Sequence, residues 1–254
     1  MEEDDYRLGG QIPGEAPPAG SAWGRLLRMF YEPASVFREL RLHPSWVPPL
    51  VLVMFVTLAT QLVVVPHIDL EASVRHALAQ RSSSAQMTEQ QVERAVGISK
   101  KIARVSTFLS PLVVLPVILL LIAGIYYLGL RSVTSDVEYK PVFSTLLHAS
   151  VPAVMVSSAL MMAVVVHKGT VVQEQAAQLV KSNLGSLLPA SAPKIAQAAA
   201  GVVDVFNIWQ AVLLVLGFEI VLGVSRRRAV TVVAVVWGAW VLARVGWAAL
   251  QSAM

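Results

Sequence analysis

Three ionisable residues stand inside long apolar stretches of this chain: His148, Glu219 and Arg244. A charge at the centre of a membrane span costs about 2.5–3.5 kcal/mol on insertion scales, so each needs a partner or a task. Counting at ~1.5 Å per residue places His148 and Glu219 at similar depths, roughly 8–9 Å from one end of their helices. A hydrogen bond between them, an intramembrane polar clip, is the expected use. Two alternatives stay open: Glu219 reaching the Arg226, Arg227, Arg228 run, and a proton or ligand site. Arg244 falls roughly 24 Å from the same end, near the height of Asp204 and Asn207 on the preceding stretch. A hairpin charge pair of Asp204 with Arg244 is expected there, the alternative being that Arg244 snorkels to the nearer interface.

Enzyme signatures are missing one by one. There is no His-Glu-x-x-His, and the five histidines are dispersed, which gives a metal site no support. No Gly-x-Ser-x-Gly elbow occurs, and no glycine-rich phosphate loop. Ser157, Ser158 and His148 share one helix, too far apart along it for a nucleophile to meet its base. The chain has no cysteine, which excludes disulfides and thiol chemistry. These absences predict a non-enzymatic protein with no cofactor. A net charge of +4 and a pI near 9.6 raise nucleic acid as a partner. The basic residues instead flank the apolar stretches, where they set orientation and meet anionic headgroups. Membrane lipids, not nucleic acid, are the predicted partner.

The elements holding these residues follow from hydropathy. Hydrophobic residues make up 56% of the sequence and charged residues 14%, with a mean hydropathy of +0.63. The apolar residues gather into blocks close to the roughly 20 residues an α-helix needs to cross the hydrocarbon core. The predicted fold is all-α: a polytopic five-helix transmembrane bundle with N-terminal interfacial amphipathic helices. The spans are placed at about 47–65, 107–130, 143–166, 204–224 and 229–250, within a membrane domain covering residues 46–254. Residues 1–21, acidic and then rich in Gly and Pro, read as a disordered tail. No apolar stretch follows that acidic start, so insertion is expected to rely on the first span and not on a cleaved signal.

Residues 22–45 carry apolar side chains at helical spacing with arginines among them, the pattern of helices lying in the membrane interface, the alternative being that the two helices pad the bundle. Trp23, Leu27, Phe30 and Trp46 are the predicted interfacial anchors. Thr88-Glu89-Gln90-Gln91 fits a capping box whose helix feeds into the second span. Ala149, Ala153 and Ser157 recur every four residues, a stripe that permits close helix packing. The link Ser225-Arg226-Arg227-Arg228 is so short that the last two spans must form an antiparallel hairpin. Short loops obey the positive-inside rule best, so Arg226, Arg227 and Arg228 are read as cytoplasmic determinants. That places the N-terminus inside and the C-terminus outside.

Three stretches resemble one family. Tyr31-Glu32-Pro33-Ala34-Ser35-Val36-Phe37-Arg38-Glu39-Leu40, then Pro44 and Trp46, resembles the opening of bacterial Yip (Ypt-interacting protein) domains. Thr88-Glu89-Gln90-Gln91-Val92-Glu93 with Ile98-Ser99-Lys100-Lys101 is a second match. Asp204-Val205-Phe206-Asn207-Ile208-Trp209, followed by Gly217, Ser225 and the arginines, is the third. Together they run from about residue 28 to the end. The resemblance implies a five-span fold with a cytoplasmic N-terminus, in a bacterial cytoplasmic (inner) membrane. The trafficking role of eukaryotic relatives is not carried over, because their cytoplasmic Asp-Leu-Tyr-Gly-Pro element is absent. The expected function is a membrane scaffold or adaptor that binds lipid, other membrane proteins or a second copy of itself. The alternative is a small transporter or transporter subunit, in which Pro111, Pro116 and Pro152 kink the helices beside His148 and Glu219.

Overall fold

A computed structural model describes residues 21–79, 88–172, 179–180, 182–189 and 192–253. Nearly all of the acidic tail expected over residues 1–21 lies outside them. Two short helices come first, α1 (Ala22–Arg28) and α2 (Pro33–Leu42). The Ser21 hydroxyl accepts from the Gly24 N–H at the start of α1, and Pro33 supplies the preset φ suited to a first helical turn. The first span is α3 (Val47–Val64), again with prolines in its first turn. After α4 (Leu70–Ala79), helix α5 (Glu89–Leu109) starts from Thr88. Its capping box is formed as expected, Gln91 N–H to the Thr88 hydroxyl and Thr88 N–H to the Gln91 side chain.

Helix α5 passes through a π-helical turn, Ser110–Val114, into α6 (Leu115–Arg131). Pro111 lies in that turn, where its missing N–H disturbs the regular ladder. The longest helix, α7 (Tyr139–Lys168), runs unbroken through Pro152. Then come α8 (Lys194–Val202), α9 (Val205–Leu222) and α10 (Arg226–Ala253). Five helical segments are long and apolar enough to cross a membrane: Val47–His67, Glu89–Arg131, Tyr139–Lys168, Val205–Leu222 and Arg226–Leu250.

Helix α7 is the axis of the bundle, packed by α2, α3, α6 and α9. Its first half, residues 142–153, is buried on every side, including Ala149 and Ala153 of the small-residue stripe. The Ser144 hydroxyl donates to the Ser45 carbonyl at 2.7 Å, while Ile68 bridges Val171 at the far end. Helices α3 and α7 therefore run parallel. The turn between α9 and α10 closes at Gly223, whose φ of +65° lies in the left-handed region that a side chain disfavours.

Of the two N-terminal helices, α2 differs from the interfacial element expected. Three apolar side chains of α2, Val36, Phe37 and Leu40, are fully buried, while Leu42 at its end is exposed. Phe37 lies against Gly217, Arg41 approaches Gly223, and Phe30 meets Trp209 edge-on at 6.2 Å. Three contacts in one register mean that α2 runs lengthwise along α9. Trp209 is roughly 21 Å above Gly223 by the helical rise, so the α1–α2 turn reaches well up the bundle. Amphipathic spacing shows which face of a helix is apolar. It does not say whether lipid or protein covers that face, and here protein covers α2.

Candidate functional site

His148 is fully buried in α7. Its Nδ1–H donates to the Ser144 carbonyl, 2.9 Å away and one turn back. Its other ring nitrogen, Nε2, is sealed from solvent and meets no acceptor or donor. Glu219 points elsewhere: it accepts from Arg226 Nε at 2.9 Å across the α9–α10 turn. The His148–Glu219 clip is therefore not formed, and the alternative of Glu219 turning to the arginine run is what the structure holds. Gly217 meets Thr145 on the antiparallel α7. By the helical rise, His148 lies about 4.5 Å to one side of that level and Glu219 about 3 Å to the other. The two are not at one depth, and depth would in any case leave the rotation of each helix open. With Arg226 largely in solvent, this ion pair contributes about 0–1 kcal/mol.

The hairpin charge pair is not formed either. Asp204 caps α9, accepting from the N–H groups of Phe206 at 2.8 Å and Asn207 at 3.4 Å. Its second oxygen takes the Ser182 hydroxyl. Both oxygens are thus engaged by groups that orient the start of the helix. Arg244 instead lays its guanidinium over the Trp240 ring, 5.2 Å from the centroid and one turn back on α10. A cation over an indole face is attracted by the ring quadrupole without any carboxylate.

The four predicted anchors divide. Trp23 and Leu27 are exposed, 56% and 63%. Phe30 faces Trp209 inside the bundle, and Trp46 leans on Phe143 at 5.9 Å while 38% exposed. Arg226, Arg227 and Arg228 are all exposed at the α9–α10 turn, the end of the bundle at which Arg41 also lies.

Sequence reasoning missed what α1 does with its arginines. Arg28 forms a two-pronged ion pair with Glu39, Nη1 to Oε1 at 2.6 Å and Nη2 to Oε2 at 3.0 Å, tying α1 to α2. The hydrogen bond to Glu39 is the chief reason the Arg28 guanidinium is held above its ordinary pKa. Arg25 is 92% removed from solvent, only 8% exposed, and its Nε finds no acceptor. The only advance signal was that Arg25 precedes the buried Leu26, on an α1 otherwise read as lying flat.

A cavity of about 500 Å³ opens between α6, α7, α9 and α10. Tyr126, Leu146, Leu214 and Trp240 line it, with Asn207 and Gln210 as its polar groups. Trp237 also borders it, and the indole N–H of that residue is buried without an acceptor. Among the described residues no three His, Asp or Glu side chains converge as a metal site.

A polytopic helical bundle with five candidate spans is the class this arrangement defines, and it fits an integral membrane protein. The Yip1 domain family model matches residues 27–248. The chain belongs to that family. Neither the comparison with curated proteins nor the comparison with solved structures gives a match.

Proposed function

We propose that this Yip1-domain protein is a non-enzymatic scaffold or adaptor of a bacterial cytoplasmic membrane, binding lipid or other membrane proteins through its N-terminal helices. The arginine-bearing end of the bundle faces the cytoplasm in this reading. One observation carries it. Helix α2 is anchored in the bundle by Val36, Phe37 and Leu40, while α1 and the turn after it leave Trp23, Leu27 and Tyr31 at 56%, 63% and 68% exposure. Large apolar side chains held out on a rigid support, next to arginines, suit a surface that meets headgroups or another membrane protein.

A transporter built on a His148–Glu219 path draws no support from the geometry. His148 is sealed, and Glu219 is engaged at the turn by Arg226.

A photo-crosslinking residue in place of Leu27, in the full chain in native membranes, tests the scaffold reading. Adducts to lipid or to a membrane protein are expected, and they should fall away when the crosslinker is moved to buried Leu40. Equal, weak labelling at both positions refutes the reading. Solute flux in proteoliposomes that disappears with His148→Ala would refute it in favour of transport.

A further inference from the structure

We infer that the cavity between α6, α7, α9 and α10 holds one membrane phospholipid, with an acyl chain inside it, ester carbonyls at Asn207 and Gln210, and the phosphate at Arg244. This site goes beyond the α1 surface proposed above, because other helices build it.

The cavity measures about 500 Å³, inside the range of roughly 300–1,000 Å³ typical of small-molecule sites, which often lie between the helices of bundles. Leu119, Leu146 and Leu214, all buried, form its inner wall. Ile125 of α6 and Trp240 of α10 also line it and are 53% and 44% exposed. The cavity therefore opens sideways between those two helices, onto the surface that faces hydrocarbon in a membrane. A chain end enters there without crossing a polar layer.

The lining changes character in one direction. Counted from the α9–α10 turn by the helical rise, Val233 and Leu214 stand at roughly 11–14 Å, Gln210, Trp240 and Asn207 at roughly 20–24 Å, and Arg244 at roughly 27 Å. The lower part is aliphatic and aromatic, with the Tyr126 ring there resting on Phe218 at 5.5 Å. Two amides follow. Among the described residues nothing hydrogen-bonds the Gln210 side chain, and Asn207 gives only one N–H, to the Val202 carbonyl at a long 3.4 Å. Amide donors left bare in hydrocarbon cost free energy that a plain chain cannot offset, whereas an ester carbonyl accepts from them.

Arg244 comes last. Its guanidinium sits 5.2 Å from the centroid of the Trp240 ring, which lines the cavity, and its side chain is exposed. Among the described residues no carboxylate pairs with it. The fork of a guanidinium matches two oxygens of a phosphate. Chain, carbonyl and phosphate follow one another in a glycerophospholipid in that same order. A bare hydrocarbon leaves the amides unmet, and a free phosphate leaves the cavity unfilled.

The purified full chain in maltoside detergent is photolabelled with a phosphatidylglycerol carrying a diazirine on one acyl chain, and the labelled residues are mapped by mass spectrometry. Labelling should saturate and concentrate on the cavity-lining residues of α6, α9 and α10, well above exposed Phe55 on α3. Dioctanoyl phosphatidylglycerol should displace the label best. Dioctanoylglycerol, which keeps the esters and lacks the phosphate, should do so roughly tenfold less well, the scale of charged hydrogen bonds. Hexadecane, a bare chain, should not compete. Arg244→Gln should bring phosphatidylglycerol down to the level of dioctanoylglycerol, and Gln210→Leu should weaken both by roughly two- to tenfold, the scale of one neutral hydrogen bond.

Equal displacement by all three compounds would mean that the cavity takes any chain, and equal displacement by the two dioctanoyl compounds that no phosphate is held. Either result overturns the proposal. So does labelling that never saturates, the pattern of a cavity filled by detergent or water alone, and so do folded variants that bind as tightly as wild type. If the variants do not fold, the wild-type competition decides alone. The Leu27 crosslink reads α1 and not this cavity, so a failed phospholipid site and a failed scaffold are told apart.

Discussion

Phe37 of α2 rests its ring on the backbone of Gly217 in α9. A Cβ added at Gly217 would lie 2.9 Å from the Phe37 ring and 2.4 Å from Cγ2 of Thr145. The helix α9 can approach α2 and α7 this closely only because residue 217 has no side chain.

Gly217→Ala should therefore lower stability by about 1–3 kcal/mol, the usual cost of overpacking. Alanine has the better helix propensity, so a loss must come from the contact and not from the helix. Thermal unfolding in detergent measures it, and Thr145→Ser, which removes the nearest methyl, should recover part of the loss. A neutral or stabilised Gly217→Ala protein would show that the three helices do not meet here.

The Arg28–Glu39 pair should show coupling in a double-mutant cycle. With the two side chains 22% and 11% exposed, Arg28→Ala, Glu39→Ala and the double variant should give roughly 0.5–3 kcal/mol of interaction energy. A cation with a raised folded pKa stabilises below its unfolded value and loses that contribution only as pH rises through the folded one. Both lie at or above the already high ordinary value of arginine, so the Arg28 contribution should persist across the whole neutral and alkaline working range. A coupling energy near zero would mean that the two side chains do not meet.

Asp204 should behave as a helix cap and not as half of an ion pair. Asp204→Ala should cost about 0.5–2 kcal/mol, and Asp204→Asn, which still accepts from the Phe206 and Asn207 N–H groups, should cost less. Arg244→Ala should cost about 0.5–1 kcal/mol through the lost Trp240 contact. Exchanging the charges, Asp204→Arg with Arg244→Asp, should recover nothing. Recovery in thermal unfolding would mean that residues 204 and 244 attract across the hairpin after all.

The proposed orientation makes a labelling prediction in a chain free of cysteine. Leu187, 77% exposed, lies in the connection before α8, at the end opposite the arginine turn. Leu187→Cys should react with a membrane-impermeant thiol reagent on intact cells, and Ser225→Cys only after permeabilisation. The reverse pattern would invert the topology.

The five spans were legible in the sequence because crossing a hydrocarbon slab is a one-dimensional requirement of length and apolarity. The blocks at 47–65, 143–166 and 229–250 fall within Val47–His67, Tyr139–Lys168 and Arg226–Leu250. The capping box at Thr88 was legible for a similar reason, since its partners lie three residues apart. Family membership also rested on local runs of residues, and the family match over 27–248 agrees.

Partner choice was not legible. Depths counted from the expected span ends made His148–Glu219 and Asp204–Arg244 geometrically allowed, but such a count comes from the helical rise alone, and contact also needs the true offset between helices and the rotation of each about its axis. That rotation is set by packing across the bundle, through contacts such as Phe37 on Gly217, which no local pattern encodes. Local competitors then won each residue: Arg226 for Glu219, backbone N–H groups and Ser182 for Asp204, Trp240 for Arg244. The same packing drew α2 along α9 and carried Arg25 out of water. Sequence alone determined how many helices cross and where. Only the tertiary structure decided which faces protein covers, because burial is a property of neighbours and not of the residue itself.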